Sequence, residues 1–221
     1  SLRTLKRWLS SSGKNTQSLL DEMIDSQIRS RGVRGNRTIS AMRSVPRHAF
    51  LTDYRLQEAY SDRPLRIGNG QTISQPYIVA LMTSQLENLP PGTKIMEIGS
   101  GCGYQTAILV QMGFEVHSVE ILPKLIEKST KTLRDLCLSP ESISCSDGRA
   151  GLESKAPFTG IIAAACAEEI PSEWLNQLQC GGVIVAPIGS KNDQNLVRLD
   201  KISNINVSTE ELCPVRFVPL V

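Results

Sequence analysis

Apolar residues begin to recur with a helical period near Leu19, and we expect the first helix of the fold to begin there. Gly32 is the residue predicted to end it. The preceding segment, 1–18, is polar and rich in Ser, Lys and Asn, and is predicted to be a poorly structured leader. The apolar positions that share one face of the predicted helix are Leu19, Leu20, Met23, Ile24 and Ile28.

Two further helices are predicted before the chain reaches its β-rich half. The second helix ends at Pro46, because a residue before proline avoids the helical conformation. Gly and Pro residues across 60–70 then predict an irregular loop. A third helix is predicted over 74–87, with Pro76 in its first turn. The inward positions of the second helix are Ile39, Met42 and Val45.

Beyond residue 91, short apolar runs alternate with helical segments. This alternation implies parallel strands joined by right-handed crossovers, and therefore a doubly wound, mostly parallel α/β sheet of the Rossmann-like type. Two β-rich stretches near the end, 196–202 and 215–218, have no helix between them and predict an antiparallel edge. The predicted strands are 95–98, 115–120, 143–145, 160–164 and 182–186, and the predicted helices are 106–112, 123–136 and 172–178.

The composition is typical of a globular domain, with 40% hydrophobic and 21% charged residues among 221. The net charge of +2 is too small to indicate a nucleic-acid partner, and a cluster of arginines is predicted to form a solvated helical face. No apolar run approaches the ~20 residues of a membrane span. The clustered arginines are Arg29, Arg31, Arg34, Arg37, Arg43 and Arg47.

The six cysteines occur singly, without the C-x-x-C pairs that a zinc or redox site needs. We therefore expect reduced, buried thiols, no metal site and a cytoplasmic protein. These residues are Cys102, Cys137, Cys145, Cys166, Cys180 and Cys213.

Three alternate glycines, Gly99, Gly101 and Gly103, directly follow the first predicted strand of the sheet. Ligands of open parallel sheets bind outside the carboxyl ends of the strands, where glycines let them approach the backbone. A dinucleotide fingerprint that begins at Gly99 needs a glycine at position 104, which is Tyr. Glu97, two residues before Gly99, is more typical of methyltransferases. The loop and Glu97 therefore predict a site for S-adenosylmethionine rather than for a nicotinamide cofactor.

Acidic residues at two later strand ends complete the predicted cofactor site. Glu120 lies 120 − 99 = 21 residues beyond Gly99, where a carboxylate can accept hydrogen bonds from both ribose hydroxyls. Asp147 follows the third strand and is positioned to accept from the adenine amino group, while Gly148 lets the base approach the backbone. Without the glycine loop, these residues would indicate only a strand-end charge and a turn.

The segment 70–77, GQTISQPY, closely resembles the substrate-side signature of the protein-L-isoaspartate O-methyltransferase family. Other segments that resemble the family follow in the same order, so the resemblance extends from residue 19 to residue 221. The segment around Ser74 is far more specific than any glycine loop. The other segments are 64–65, 67–68, 97–106, 118–120, 147–148, 156–158, 169–171 and 216–221.

This resemblance implies methyl transfer from S-adenosylmethionine to the free α-carboxylate of L-isoaspartyl residues in damaged proteins and peptides. In that family the ester collapses to a succinimide, which partly reopens to normal aspartate. Ser74 is then the active-site residue, and the backbone of Thr72, Ile73 and Ser74 faces the cofactor. A carboxylate of pKa ~4 is already ionised at neutral pH, so neither a general base nor a metal is required.

The length of 221 residues fits a single α/β domain, which we place over 19–221. Its first part, 19–90, would supply the N-terminal helices and the substrate loop, and 91–221 would form the cofactor-binding sheet. The C-terminal segment from Arg216 would be a wall of the substrate cleft. We expect a monomer without a nucleic-acid or membrane partner.

Two positions depart from the family pattern: Thr159 stands where Asp is usual, and Arg66 where a small or apolar residue is commoner. Two alternatives therefore stay open. One is a methyltransferase that uses the same cofactor with a small-molecule or RNA acceptor, and the other is a catalytically silent homologue. Ser74 also has a structural alternative, because a serine before Pro76 can cap the third helix.

Overall fold

The structure is a computed structural model that describes residues 13–221 of the chain. Of the predicted leader, 1–12 lie outside the described residues, and 13–18 belong to helix α1, Gly13–Glu22. The helix begins earlier than predicted because Thr16, which no apolar pattern marks, is fully buried. The apolar stripe alone therefore underestimates the length of the helix.

The N-terminal helices end where the sequence predicts. Helix α1 continues through a π-helical turn, Met23–Ile28, and a short 3₁₀ turn to Gly32, whose left-handed φ of 95° ends it. The second predicted helix is α2, Asn36–Ser44. A short helix, α3 (Leu56–Ala59), follows it. Among the described residues, none of the helices has the length and apolarity required to cross a bilayer.

A β-hairpin occupies the end of the stretch that the sequence predicts as a loop. Strand β1, Leu65–Gly68, pairs antiparallel with β2, Gln71–Ile73. Asn69 and Gly70 form the turn between them, with positive φ values of 52° and 73°. Asn-Gly is the dipeptide that most favours such two-residue turns, so this pair is the signal from which the hairpin is predictable.

The rest of the chain alternates between strands and helices, and its strands form one sheet. The helices are α4 (Pro76–Ser84), α5 (Tyr104–Gln111), α6 (Pro123–Asp135) and α7 (Ser172–Gln177). The strands are β3 (Lys94–Ile98), β4 (Glu115–Glu120), β5 (Ser142–Cys145), β6 (Phe158–Ala163), β7 (Leu178–Ser190), β8 (Asp193–Lys201) and β9 (Val207–Pro214).

The strand order is β5-β4-β3-β6-β7-β8-β9 within the described residues. The pairs from β5 across to β7 are parallel, and the β7–β8 and β8–β9 pairs are antiparallel. This confirms the predicted doubly wound sheet with an antiparallel C-terminal edge. Because β4 and β5 lie on one side of β3, and β6 and β7 on the other, the strand order reverses between β3 and β6. Ligand sites form at such a reversal.

The predicted last strand, 215–218, is wrong, because the edge strand is β9. The side chains of β9 are mostly exposed and polar, so its hydrogen bonds to β8 define it and no apolar pattern marks it. The apolar segment that follows crosses the carboxyl end of β6 instead. There the Cys166 amide donates to the Val218 carbonyl, and the Leu220 amide donates to the Cys166 carbonyl.

Burial corrects two further predictions from composition. The arginine cluster is not a uniformly solvated face, because the Arg47 side chain has an exposed fraction of 0%. All six cysteines are free, but only Cys102 and Cys166 are buried. The exposed thiols are Cys137, Cys145 and Cys180.

Candidate active site

A cleft opens at the carboxyl ends of β3, β4 and β6, where the strand order reverses. Strand β2 of the hairpin and Ser74, which follows it, also line this cleft. Seven of the predicted site residues line this cleft together, and three do not. Those that line it are Thr72, Ile73, Ser74, Gly99, Gly101, Glu120 and Gly148. Those outside the lining are Glu97, Gly103 and Asp147.

The glycine loop turns sharply between β3 and α5. Gly99, Gly101 and Gly103 all have positive φ, between 54° and 89°, which side chains rarely adopt. A Cβ on Gly103 would lie 3.0 Å from the Leu133 side chain of α6. Gly103 therefore lets the loop pack against α6, whereas Gly99 and Gly101 present backbone to the cleft.

The Glu120 carboxylate fixes the shape of this loop. One oxygen accepts from the amide of Gly101 at 2.9 Å, and the other accepts from the amides of Ile121 and Leu122 at 2.9 and 3.0 Å. A carboxylate has about four acceptor sites, so roughly one remains for a ligand hydroxyl. The predicted bond to both ribose hydroxyls therefore requires one of them to share a site with a backbone donor.

Glu97 lies beneath the loop rather than in the cleft, with an exposed fraction of 1%. One of its oxygens accepts from the hydroxyls of Thr106 at 2.6 Å and Ser118 at 2.5 Å. These bonds join β3 to α5 and β4. Burial raises the pKa of Glu97 to about 7, although the two hydroxyls favour its ionised form. Direct contact with a ligand in the cleft is not available to Glu97 in this geometry.

Replacing Glu97 with Gln is expected to make stability less sensitive to alkaline pH. Because the folded-state pKa of about 7 exceeds the ordinary 4.5, the stability due to Glu97 is fully present below about pH 4.5 and is lost as pH rises through 7. Between pH 6 and pH 8, the free energy of unfolding of the wild type should fall by about 1 kcal/mol relative to the variant. Urea unfolding at both pH values measures this change. An equal difference at both pH values would contradict the raised pKa.

Of the neighbouring residues Asp147 and Gly148, only Gly148 lines the cleft. The Asp147 carboxylate accepts from the Arg149 amide and pairs with its guanidinium at 2.7 Å, so it is occupied near the surface. Gly148 lines the cleft, and a Cβ there would lie 2.5 Å from the Ile98 side chain. The predicted bond from Asp147 to an adenine amino group therefore requires Arg149 to move.

Two hydroxyls in the lining were missed by the sequence analysis. The Ser100 and Ser146 hydroxyls are buried and have no hydrogen-bond partner among the described residues. Ser100 lies inside the glycine loop and Ser146 directly before Asp147, so adjacency to predicted motifs was the only signal. Buried hydroxyls without partners beside exposed loop backbone suit a polar ligand such as S-adenosylmethionine.

Ser74 stands between this cleft and a second one. The second cleft has a volume of about 420 Å³ and is lined by the residues around Ser74, by Pro64 and Ile78, and by the chain from Pro214 to Val218. Helix α4 is preceded by Gln75 and has no side-chain cap. Within the described part of the chain, the Ser74 hydroxyl makes no hydrogen bond, so the helix-cap alternative has no support.

The C-terminal segment is a wall shared by both clefts, although it is not a strand. Residues 218–221 line the first cleft, and 214–218 line the second. The Gln194 side chain holds the segment, because it accepts from the amide of Phe217 at 2.7 Å and donates to its carbonyl at 3.2 Å.

Comparison with known families identifies the chain. The model of the protein-L-isoaspartate(D-aspartate) O-methyltransferase family matches residues 17–221. The chain belongs to this family. It is therefore an S-adenosylmethionine-dependent methyltransferase, and the first cleft is the one whose residues fit the cofactor.

Relatives of similar length are named protein-L-isoaspartate O-methyltransferase. Protein-L-isoaspartate O-methyltransferases from Geobacter metallireducens and Methanospirillum hungatei are 46% and 44% identical to this chain. The alignments cover 90% and 91% of this chain, and 92% of each relative. A third, from Gloeobacter violaceus, is 42% identical over 90% of this chain and 96% of its own length.

Solved structures share the fold over almost the whole chain. One is a protein from Plasmodium falciparum described as a protein-L-isoaspartate O-methyltransferase and solved in complex with S-adenosyl-L-homocysteine. It is 26% identical to this chain, with a TM-score of 0.79. That match covers 93% of this chain and 97% of the other. A second protein-L-isoaspartate O-methyltransferase has a TM-score of 0.80 at 26% identity, covering 92% of this chain and 65% of the other.

Glu120→Ala is expected to weaken binding of S-adenosylhomocysteine by roughly 1–3 kcal/mol, because the charged hydrogen bonds predicted between Glu120 and the ribose would be lost. Stability should fall as well, since three backbone amides lose their acceptor. Titration calorimetry on folded protein measures the affinity.

Two variants control the Glu120 experiment. Glu120→Gln retains an acceptor oxygen and should have a smaller effect, and Glu115→Ala changes the opposite end of β4, outside the cleft. Unchanged affinity in a folded Glu120→Ala protein would remove Glu120 from the cofactor site.

Proposed function

We propose that this protein repairs damaged proteins and peptides by transferring a methyl group from S-adenosylmethionine to the free α-carboxylate of L-isoaspartyl residues. The observation that carries the proposal is the position of Ser74 on the boundary between two clefts. One cleft contains the glycine loop and Glu120. The other is lined largely by apolar side chains and backbone, which suits a peptide segment.

The acceptor chemistry requires orientation rather than proton transfer. S-adenosylmethionine carries an electrophilic methyl group on a sulfonium, and a carboxylate of pKa ~4 is ionised at neutral pH without a base. Neither histidine lines either cleft. In this proposal the Ser74 hydroxyl donates a hydrogen bond to one carboxylate oxygen and leaves the other in line with the methyl group.

The lining of the clefts also excludes water from the reacting atoms. Apolar groups from three neighbouring strand ends, Ile98, Val119 and Ala164, form the floor of the first cleft. Val218 and Leu220 close it from the C-terminal side. Such a site strengthens the interactions that hold the carboxylate and suppresses competing hydrolysis.

Neither of the two departures from the family pattern lines a cleft. Thr159 is the second residue of β6, at the end of that strand opposite Ala164, so roughly 15 Å separates it from the lining. Arg66 is exposed on β1, where it pairs with Thr72 of β2 and its backbone carbonyl accepts a bond from the Tyr54 hydroxyl. Neither position therefore favours a different acceptor or a silent homologue.

The experiment that tests this function compares two versions of one peptide. We expect S-adenosylhomocysteine to accumulate with the isoaspartyl peptide and not above background with the aspartyl peptide. Turnover with RNA or a small molecule instead of the isoaspartyl peptide would support the alternative acceptor. Cofactor binding without any turnover would indicate a silent homologue.

Further expectations accompany the proposed function. We propose a cytoplasmic monomer without a metal and without a nucleic-acid or membrane partner. Six free cysteines support the reducing compartment. Among residues 13–221, no group of three or more potential ligand side chains could hold a metal ion.

A further inference from the structure

A buried arginine lies behind the wall that separates the two clefts. Arg47 begins a 3₁₀ turn, Arg47–Phe50, and its side chain is fully buried. Its Nε donates to the Ala59 carbonyl at 2.8 Å, and one terminal nitrogen donates to the Ser74 carbonyl at 2.9 Å. The other terminal nitrogen has no partner among the described residues. The guanidinium lies over the Tyr104 ring, 5.0 Å from its centroid.

This cation has no counter-charge in the described part of the chain. No carboxylate forms an ion pair with Arg47 there. The groups that face it are Tyr60, Tyr104 and Cys102, and burial raises the pKa of each, so all three are neutral at neutral pH. An unpaired buried charge is costly unless a ligand compensates it.

The neighbours of Arg47 connect it to the reacting groups. Ser74, Cys102 and Tyr104, which contact or face the guanidinium, all line the cofactor cleft. The reacting groups of the two substrates carry opposite charges: the acceptor has a carboxylate and the methyl donor has a sulfonium. A fixed positive charge nearby attracts the first and repels the second.

We propose that Arg47 is a positioning residue for methyl transfer: its guanidinium fixes the Ser74 carbonyl, and its charge is balanced by the acceptor carboxylate. The proposal rests on the proposed function, since that function supplies the carboxylate. Arg47 acts through the Ser74 backbone and through its field, and not by contact with the reacting atoms.

The test measures the affinities of S-adenosylmethionine and S-adenosylhomocysteine, which differ by one methyl group and one positive charge. In Arg47→Gln, the charge is lost, so binding should shift in favour of the sulfonium by roughly threefold or more relative to the wild type. The KM for an isoaspartyl peptide should rise about tenfold, since the attraction of the carboxylate is lost. Arg47→Lys keeps the charge but not the planar fork, so it should keep the affinity ratio and lower kcat.

Arg37→Gln is the matched control. Arg37 is a part-buried arginine that donates to the carbonyls of Glu87, Leu89 and Met112, and it lines neither cleft. Its loss should lower stability without changing the affinity ratio. If Arg47→Gln changes both affinities equally and leaves the ratio as in the wild type, the proposal is overturned.

Two measurements keep the proposal testable if Arg47→Gln does not fold. In the wild type with S-adenosylhomocysteine, an isoaspartyl peptide should bind about tenfold more tightly than the uncharged isoasparaginyl peptide, and Arg47→Lys should retain this preference. Equal binding of the two peptides would contradict the counter-charge. The ratio of the affinities for S-adenosylmethionine and S-adenosylhomocysteine is measured without an acceptor, so the two failures can be told apart. Wild-type protein that fails to methylate the isoaspartyl peptide overturns the proposed function. A ratio that is unchanged in Arg47→Gln overturns only the role of Arg47.

Discussion

Removal of residues 216–221 is expected to abolish methyl transfer. The segment forms a wall shared by both clefts, so its loss opens both of them to solvent at once. It ends the chain after β9 and contributes no strand to the sheet, so the truncated protein should still fold. Turnover of an isoaspartyl peptide, together with circular dichroism, measures the two effects separately.

A point substitution tests the same wall while keeping the C-terminal segment in the chain. Gln194→Ala removes both hydrogen bonds that hold Phe217, and should lower kcat/KM several-fold. Asn195→Ala is the control. Asn195 is the next residue along β8, its side chain donates to Glu211 on the edge strand, and it lines neither cleft.

For the truncation itself, a shortened protein that folds and turns over at the wild-type rate would show that the segment is not a functional wall.

Ser74→Ala is expected to lower kcat/KM for an isoaspartyl peptide by about tenfold or more, because one lost transition-state hydrogen bond of ~1.4 kcal/mol is a factor of ten. Thermal stability should change little, since the Ser74 hydroxyl caps no helix and its carbonyl bond to Arg47 is retained. Steady-state kinetics and a melting curve measure the two quantities.

Ser74→Thr is the conservative control for that experiment. It keeps the hydroxyl and should therefore lose less activity than Ser74→Ala. A variant that melts several degrees lower, yet turns over normally per folded molecule, would assign Ser74 a structural role and contradict its place in the active site.

The sheet was predictable because its central strands are buried on both faces, and continuous apolar runs such as 160–164 and 182–186 mark two of them in the sequence. The edge was not. Strand β9 is exposed, so side-chain polarity gives no sign of its hydrogen bonds, and the apolar run after it invited the wrong assignment. The hairpin turn at Asn69 and Gly70 had a recognisable signal in its dipeptide.

The site was predictable where motif and strand end coincide. Gly99, Gly101, Glu120 and Gly148 follow strands directly, and the structure brings them into one cleft. Side-chain direction was not predictable in the same way. β3 is buried on both faces, and the Glu97 carboxylate is bonded to Thr106 and Ser118 beneath the loop, so its motif position does not give it access to a ligand.

Arg47 shows a different limit of sequence reasoning. In the sequence it groups with the arginines of 29–43, and a charged residue in such a cluster is normally solvated. Only the fold brings it against Ser74, which is 27 positions away, and against the Tyr104 ring. Long-range contacts of this kind leave no periodic trace in the chain.

The most direct test of the central claim is to locate the transferred methyl group. The purified protein is incubated with S-adenosylmethionine and an isoaspartyl peptide, and tandem mass spectrometry follows the products over time. We expect the methyl group on the free α-carboxylate of the isoaspartyl residue, followed by a succinimide and a growing fraction of aspartyl peptide. A methyl group on any other atom, or an isoaspartyl fraction that does not fall, would contradict the account.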